Sequence, residues 1–230
     1  MNTVANYILY FFIYSFIGWL LEVTCKYIEE KKFVNRGFLL GPICPIYGYG
    51  FIFIILVVGT DNKDFLGIFL KSILVCSILE YFTSFFMEKI FKARWWDYSK
   101  KKFNINGRIC LETMLPFGIM GTLVLYFIHP QIISLVGLLS HNIKYIITGF
   151  LLIIFILDNI ISFKVMSKIK IQIKKQKSDN TTAVKKKVIE WIDQNSLLYR
   201  RIKNAFPKFK VIETVKKIKD VVIIKPKNNK

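Results

Sequence analysis

Five stretches of this sequence are apolar over about 20 residues each, the length that a helix needs to cross a hydrocarbon core about 30 Å thick. They cover about residues 7–28, 40–59, 65–86, 111–128 and 143–163. Inside a bilayer a helix satisfies its own backbone hydrogen bonds, which an open loop cannot do. Because the hydrophobic residues, 53% of the chain, are grouped in these runs, we predict an all-α, polytopic membrane protein. It has about five transmembrane helices in a domain over residues 1–163.

The positive charge is distributed unevenly between the two sides of this arrangement. With five spans, the loops at 29–39 and 87–110 share one side with the C-terminal tail, and together with Lys26 they hold 31 of the 34 Lys and Arg. The opposite side keeps three, Lys63, Lys71 and Lys144. Cytoplasmic loops carry the excess of Lys and Arg, so we predict that the N-terminus lies outside the cell and the C-terminus inside.

The tail, residues 164–230, holds 20 Lys and Arg against 5 acids, a net charge of +15 out of +19. Between about 183 and 206 its apolar residues recur mostly at four-residue steps among basic ones, as in an amphipathic helix on a membrane surface. Anionic lipids attract such a segment by about 1 kcal/mol per basic residue. We expect the tail to bind anionic inner-leaflet lipids. Nucleic acid is the weaker alternative, because no aromatic residues are regularly spaced to stack on bases.

Two parts of the membrane domain are similar to each other. Leu21-Glu22 and then Glu30-Lys31 have the same spacing as Leu79-Glu80 and then Glu88-Lys89. Four further positions match in order and spacing: Asn35, Leu40, Pro45 and Gly50 correspond to Asn106, Leu111, Pro116 and Gly121. The pattern predicts two parallel hairpins, spans 1–2 and spans 3–4, with a fifth span added. Parallel repeats of this kind occur in transporters.

Glu22 and Glu80 are the clearest ionisable residues inside the spans, where charged side chains are costly and usually face a bundle interior or a cavity. Other polar or aromatic residues are expected near them on the cytoplasmic side. The candidate substrate- or ion-binding site consists of Glu22, Glu80, Glu112, Arg36, Arg108 and Trp19. The alternative, with about equal support, is that the two glutamates form structural ion pairs with Arg36 and Arg108.

Three other features bear on the spans. Gly and Pro residues at 41–50 and 116–121 predict loosened or broken helix starts, which either line a cavity or allow tight packing. The apolar segment 129–139 is short for a span and fits an interfacial or re-entrant piece. Asp158, near the cytoplasmic end of the fifth span, is predicted to pair with Lys164.

The sequence offers no recognisable catalytic chemistry. The four Cys lack metal-ligand spacing, and His129 and His141 lie outside the glutamate cluster. Neither a nucleophile–base motif nor a P-loop is present. We therefore expect no metal, cofactor or catalytic residue, and any use of ATP would need another chain.

Several stretches of the first 160 residues resemble a family of bacterial membrane proteins labelled putative ABC-transporter permeases of type IV, common in Firmicutes. The resemblance rests on Phe16-Ile-Gly-Trp-Leu-Leu-Glu22, Asn35-Arg-Gly-Phe-Leu-Leu-Gly-Pro42, Pro45-Ile-Tyr-Gly48, Leu79-Glu80, Trp95-Trp-Asp-Tyr98 and Asn106-Gly-Arg108. It does not extend to the tail. It implies a transport role in the bacterial cytoplasmic membrane, with a separate ATPase subunit as the partner.

Two other functions are compatible with the residues. One is a small membrane enzyme or lipid-handling protein that uses Glu22 and Glu80. The other is a membrane-anchored regulatory or scaffold protein that acts through its basic tail.

Overall fold

The computed structural model describes residues 4–59, 64–175, 181–206 and 210–211. Helices dominate this part of the chain, and the strands are only two residues long. In chain order the elements are α1 (Val4–Glu30), α2 (Pro45–Val58), α3 (Phe65–Phe91), β1 (Ala93–Arg94), β2 (Asn104–Ile105), β3 (Ile109–Cys110), α4 (Leu111–Leu123), a π-helical turn (Val124–Ile128), α5 (His129–Gly137), α6 (His141–Lys175), α7 (Thr181–Gln194), α8 (Leu197–Ala205) and β4 (Lys210–Val211). Strand β1 pairs with β4, and β2 pairs with β3, both antiparallel.

Four helical stretches of the described chain are long and apolar enough to cross a membrane. They are Val4–Glu30, Phe65–Phe91, Leu111–Gly137 and His141–Ile173. The shorter apolar helix α2 accompanies them, and its 14 residues rise about 21 Å. These helices confirm the all-α, polytopic membrane fold. The orientation, with the N-terminus outside and the C-terminus inside, stays a prediction.

The helices pack as two hairpins, α1 with α2 and α3 with α4. Small residues mark the close contacts in both: a Cβ at Gly48 would overlap Ser15 of α1, and a Cβ at Gly118 would lie 2.6 Å from Ile73 of α3. Helix α2 also packs on α3, with Gly50 facing Leu79. Since α2 runs antiparallel to both neighbours, α1 and α3 run in the same direction, as the repeat predicts.

The second span begins later than the sequence predicts. Helix α2 starts at Pro45 rather than near residue 40, because the Pro and Gly residues before it favour a non-helical backbone. The polar groups of this segment bond to protein: the Cys44 N–H donates to the Ser15 carbonyl at 2.9 Å. Satisfied irregular backbone of this kind is tolerated at membrane depth.

The fourth span is longer than predicted and includes the segment expected to be interfacial or re-entrant. Helix α5 continues from α4 through the π-helical turn, which lies just before Pro130. Such a turn accommodates the missing proline N–H by changing the backbone pairing locally. His129 is buried there and is 2.8 Å from the Tyr14 hydroxyl, so this segment packs inside the bundle.

Helix α6 extends beyond the predicted fifth span and joins a small folded unit with the tail. The segment predicted as one amphipathic helix over about 183–206 forms two helices, because the chain turns at Asn195 and Ser196, whose hydroxyl caps α8. Most of their apolar residues are buried against α6, the end of α3 and β1, whereas Leu197 is 77% exposed. This core contains Phe91, Trp95, Met166, Ile169, Val188, Ile192, Tyr199 and Ile202.

Candidate functional site

The predicted site residues lie at the end of the bundle where α1 and α3 end and α2 and α4 begin, which we call the basic end. Glu22, on α1, is 3.3 Å from Arg36 Nε in the loop that follows. Tyr47, on α2, donates its hydroxyl to the same carboxylate at 2.7 Å. Tyr47 can approach α1 this closely because its ring packs directly on Gly18, where a Cβ would overlap it. The first hairpin therefore supplies both partners of Glu22.

Trp19 shapes the loop that carries Arg36. Its indole N–H donates to the Asn35 side-chain oxygen at 2.8 Å, and the Asn35 amide donates to the Leu40 carbonyl at 2.9 Å. The first bond fastens the loop 31–44 to α1, and the second holds the shape of the loop itself. Trp19 thus orients the loop and, through it, Arg36.

Glu80, the counterpart of Glu22 on α3, is only 6% exposed. It accepts a hydrogen bond from the Tyr98 hydroxyl at 3.2 Å, and the Thr113 hydroxyl lies 3.4 Å away, although its closer acceptor is the Cys110 carbonyl at 2.9 Å. Within the described ranges no cation lies within ion-pair distance of it. Burial, and secondarily the charge of Glu80, raises the pKa of Tyr98, so this phenol stays a neutral donor. Both glutamates are therefore contacted by a tyrosine hydroxyl, but of the two only Glu22 has an ion pair with another described residue.

Arg108 does not pair with Glu80. It is 3.0 Å from Glu88, donates to the Ser84 hydroxyl at 3.3 Å and lies over the Phe85 ring. Glu88 also accepts from Arg94 at 2.7 Å, so it is held between two arginines. The predicted structural ion pairs are therefore found for Glu22 with Arg36, and not for Glu80 with Arg108.

Glu112 lies apart from Glu22 and Glu80. Its side chain is 59% exposed and pairs with Lys101 at 2.6 Å. The structure thus brings Glu22, Arg36 and Trp19 together in one hairpin and places Glu80 in the other. Arg108 and Glu112 have separate partners.

Asp158 has a role that was not predicted from the sequence. It accepts the backbone N–H groups of Leu40 at 2.8 Å and Gly41 at 2.7 Å. The predicted pair with Lys164 is wrong: among the described residues Asp158 has no ion pair, because the non-helical segment before α2 offers two aligned N–H donors. The sequence did contain one indication of this role. An acidic residue within an apolar helix needs a polar partner at that depth.

Arg201, on α8, binds the same loop from the other side. It donates to the carbonyls of Gly37 at 3.3 Å, Phe38 at 3.4 Å and Leu39. Burial lowers its pKa, and the nearby Asp158 opposes this change. The loop is therefore held between α6 and α8.

Comparison with known families decides the classification. The family described as "Putative ABC-transporter type IV" matches residues 9–163. The chain belongs to this family. The match to this type IV family includes Glu22, Glu80, Arg36 and Asp158, and it ends before α7 and α8. No curated protein and no solved structure matches the chain.

Proposed function

We propose that this chain is a permease-like transport subunit whose polar site lies in the inner half of the bacterial cytoplasmic membrane. Membership of the type IV ABC-transporter family supports the transport role. The charge distribution supports the placement, because the basic end carries most of the Lys and Arg. The site itself is centred on Glu22 and Glu80.

The observation that carries the proposal is the environment of Glu80. A buried carboxyl in a membrane bundle normally has a cation or a set of strong donors, because leaving it without them is costly. Glu80 has only the hydroxyls of Tyr98 and Thr113 at 3.2 and 3.4 Å within the described chain. One carboxylate and two hydroxyl oxygens suit a bound metal cation or an ammonium group. We infer that the transported species, or an ion coupled to it, carries positive charge.

A separate ATPase subunit would supply the energy, since the sequence contains no P-loop. The basic end is the side on which such a subunit would bind if the predicted orientation holds. Its exposed parts include the loop 92–110 that carries Tyr98. The ATPase would thus contact the element that closes over Glu80.

The test is complementation of a deletion strain of the source organism. The strain expresses the wild type, Glu22→Gln, Glu80→Gln or Glu112→Gln, each at the same level in the membrane. The concentrations of small cationic compounds are then measured in the cells and in the medium. Wild type and the exposed control Glu112→Gln are expected to restore the compound pools. Glu80→Gln and Glu22→Gln are expected to leave them altered. Equal restoration by all four proteins would contradict the proposal.

A further inference from the structure

Helix α8 lies against the loop 31–44 through two arginines that point in opposite directions. Arg201 of α8 donates to three consecutive loop carbonyls, those of Gly37, Phe38 and Leu39. In return, Arg36 of the loop donates to the Ala205 carbonyl, the last residue of α8. The Phe206 ring also faces the Arg36 guanidinium, 5.7 Å from its centroid. This contact joins the tail to the first hairpin.

Arg36 connects this contact to the candidate site. The same guanidinium donates through Nε to Glu22 at 3.3 Å and through Nη1 to the C-terminal carbonyl of α8. The C-terminus of a helix carries partial negative charge, which a cation stabilises. Arg36 is therefore shared between a membrane carboxylate and the end of a tail helix. If α8 leaves, Arg36 loses the carbonyl acceptor at the helix end and is free to change position relative to Glu22.

The attachment of α8 is suited to release. Helix α8 has nine residues, too few to be stable by itself. Arg201 Nε is buried without a hydrogen-bond partner in the described chain, so part of the cost of burying this charge is not recovered. In the shared core, α7 contributes Val188 and Ile192, which are 0% and 1% exposed, and α8 contributes Tyr199 and Ile202, which are 9% and 3% exposed. Release of α8 would withdraw Tyr199 and Ile202 from this core, while Val188 and Ile192 keep α7 packed on α6.

We propose that α8 is an autoinhibitory latch. When docked, it holds the loop 31–44 in place and keeps Arg36 paired with Glu22 at the basic end. When released, it frees Arg36 and exposes the loop. The effect on transport rests on the proposed function, whereas the opening of the loop does not.

Two native cysteines report on the opening. Cys44 precedes α2 in the latched loop, and Cys110 precedes α4 in the second hairpin, and both are buried. In the full-length protein with Cys25→Ser and Cys76→Ser, maleimide labelling of both thiols is followed by mass spectrometry in lipid nanodiscs. Arg201→Gln is compared with Arg200→Gln, because Arg200 bonds to Asp193 of α7 instead of the loop.

Arg201→Gln is expected to accelerate labelling of Cys44 by about tenfold or more, as expected for the loss of hydrogen bonds from a charged donor. Cys110 should keep its rate, and Arg200→Gln should change neither. The same Arg201→Gln protein should transport faster than wild type in the complementation assay. If the Gln variant does not accumulate, Arg201→Lys, which keeps the charge but loses the planar donor set, serves in its place.

Three results would overturn the latch. One is an unchanged Cys44 rate in Arg201→Gln, and another is an equal rise at Cys110, which would mean general loosening of the fold. The third is slower transport by a variant with selective opening at Cys44, because α8 would then be a brace that transport requires. Labelling needs no substrate. If the wild type itself shows no transport, that result counts against the proposed function. The labelling rates of Cys44 and Cys110 then still decide whether α8 holds the loop closed.

Discussion

Asp158 and Arg201 hold opposite ends of one peptide group, the one that joins Leu39 to Leu40. Asp158 Oδ1 accepts the Leu40 N–H at 2.8 Å, and Arg201 Nη2 donates to the Leu39 carbonyl. The dipole of this peptide is thereby aligned between a carboxylate and a guanidinium. Each charge polarises the peptide in the sense that favours the other. The loop thus transmits an interaction between α6 and α8.

This relationship predicts that Asp158→Asn and Arg201→Gln do not add. We expect the double variant to lose about 1 kcal/mol less unfolding free energy than the sum of the two single losses, since each change weakens the same polarised bonds. SDS-induced unfolding in mixed micelles measures the three variants against wild type. Asp158→Asn combined with Arg200→Gln is the control and should be additive. Additivity in both combinations would show that the shared peptide carries no coupling.

Gly18→Ala should displace Tyr47 from α1. A methyl group at this position overlaps the tyrosine ring, and overpacking of this kind costs about 1–3 kcal/mol. The melting temperature in detergent should fall, and the hydrogen bond from Tyr47 to Glu22 should weaken. Gly149→Ala on α6 is the matched control, because a Cβ there meets nothing within 4 Å. An equal melting temperature for the two variants would refute the close contact.

Glu88→Gln and Glu112→Gln should differ strongly in stability. Glu88 is held by Arg94 at 2.7 Å and Arg108 at 3.0 Å, and its removal leaves a largely buried arginine without its anion. Breaking such a pair costs about 3–5 kcal/mol, whereas an exposed pair such as that of Glu112 with Lys101 contributes about 0–1 kcal/mol. SDS unfolding should separate the two variants. Similar losses would mean that Glu88 does not hold the loop 92–110.

The basic tail offers a prediction about lipid. Most apolar residues of α7 and α8 are buried in protein, with Leu197 the main exception, so we expect attraction to the bilayer to come mainly from exposed basic side chains such as Lys186 and Lys187. A fluorophore at Asn195→Cys, in a background without native cysteines, should approach the bilayer more closely in nanodiscs with anionic lipid than in neutral ones. Lys186→Gln with Lys187→Gln should reduce this approach, because each basic residue near the surface contributes about 1 kcal/mol. Electrostatic binding would be contradicted if the fluorophore came equally close to neutral and anionic bilayers and if added salt did not change its distance.

The sequence predicts local and repeated features of this fold well. The apolar runs predicted the long helices, and the matched positions predicted the two hairpins. The pair of Glu22 with Arg36 could also be anticipated, because these two residues are close in sequence. Hydrophobic runs do not define how a helix behaves near proline, so the start of α2 was misplaced and the continuity of α4 with α5 was missed.

The contacts that join distant parts of the chain could not be predicted. Asp158 lies 118 residues from Leu40, and Arg201 lies 162 residues from Leu39. An acidic residue in a span indicates that a polar partner exists, but its partners here are backbone groups that any sequence would offer. Likewise, an amphipathic pattern shows that one face of α7 and α8 is covered and does not distinguish a bilayer from α6.

The central claim is tested most directly with the cationic compound whose pool changes in the deletion strain. Its uptake into inverted membrane vesicles is measured with and without ATP. The vesicles contain Glu80→Gln, Glu112→Gln or wild type at equal amounts, each with the partner ATPase. The account predicts ATP-dependent movement for wild type and Glu112→Gln, and a rate lower by about tenfold or more for Glu80→Gln, which loses its charge at the buried site. Equal rates for Glu80→Gln and Glu112→Gln would contradict a site at Glu80.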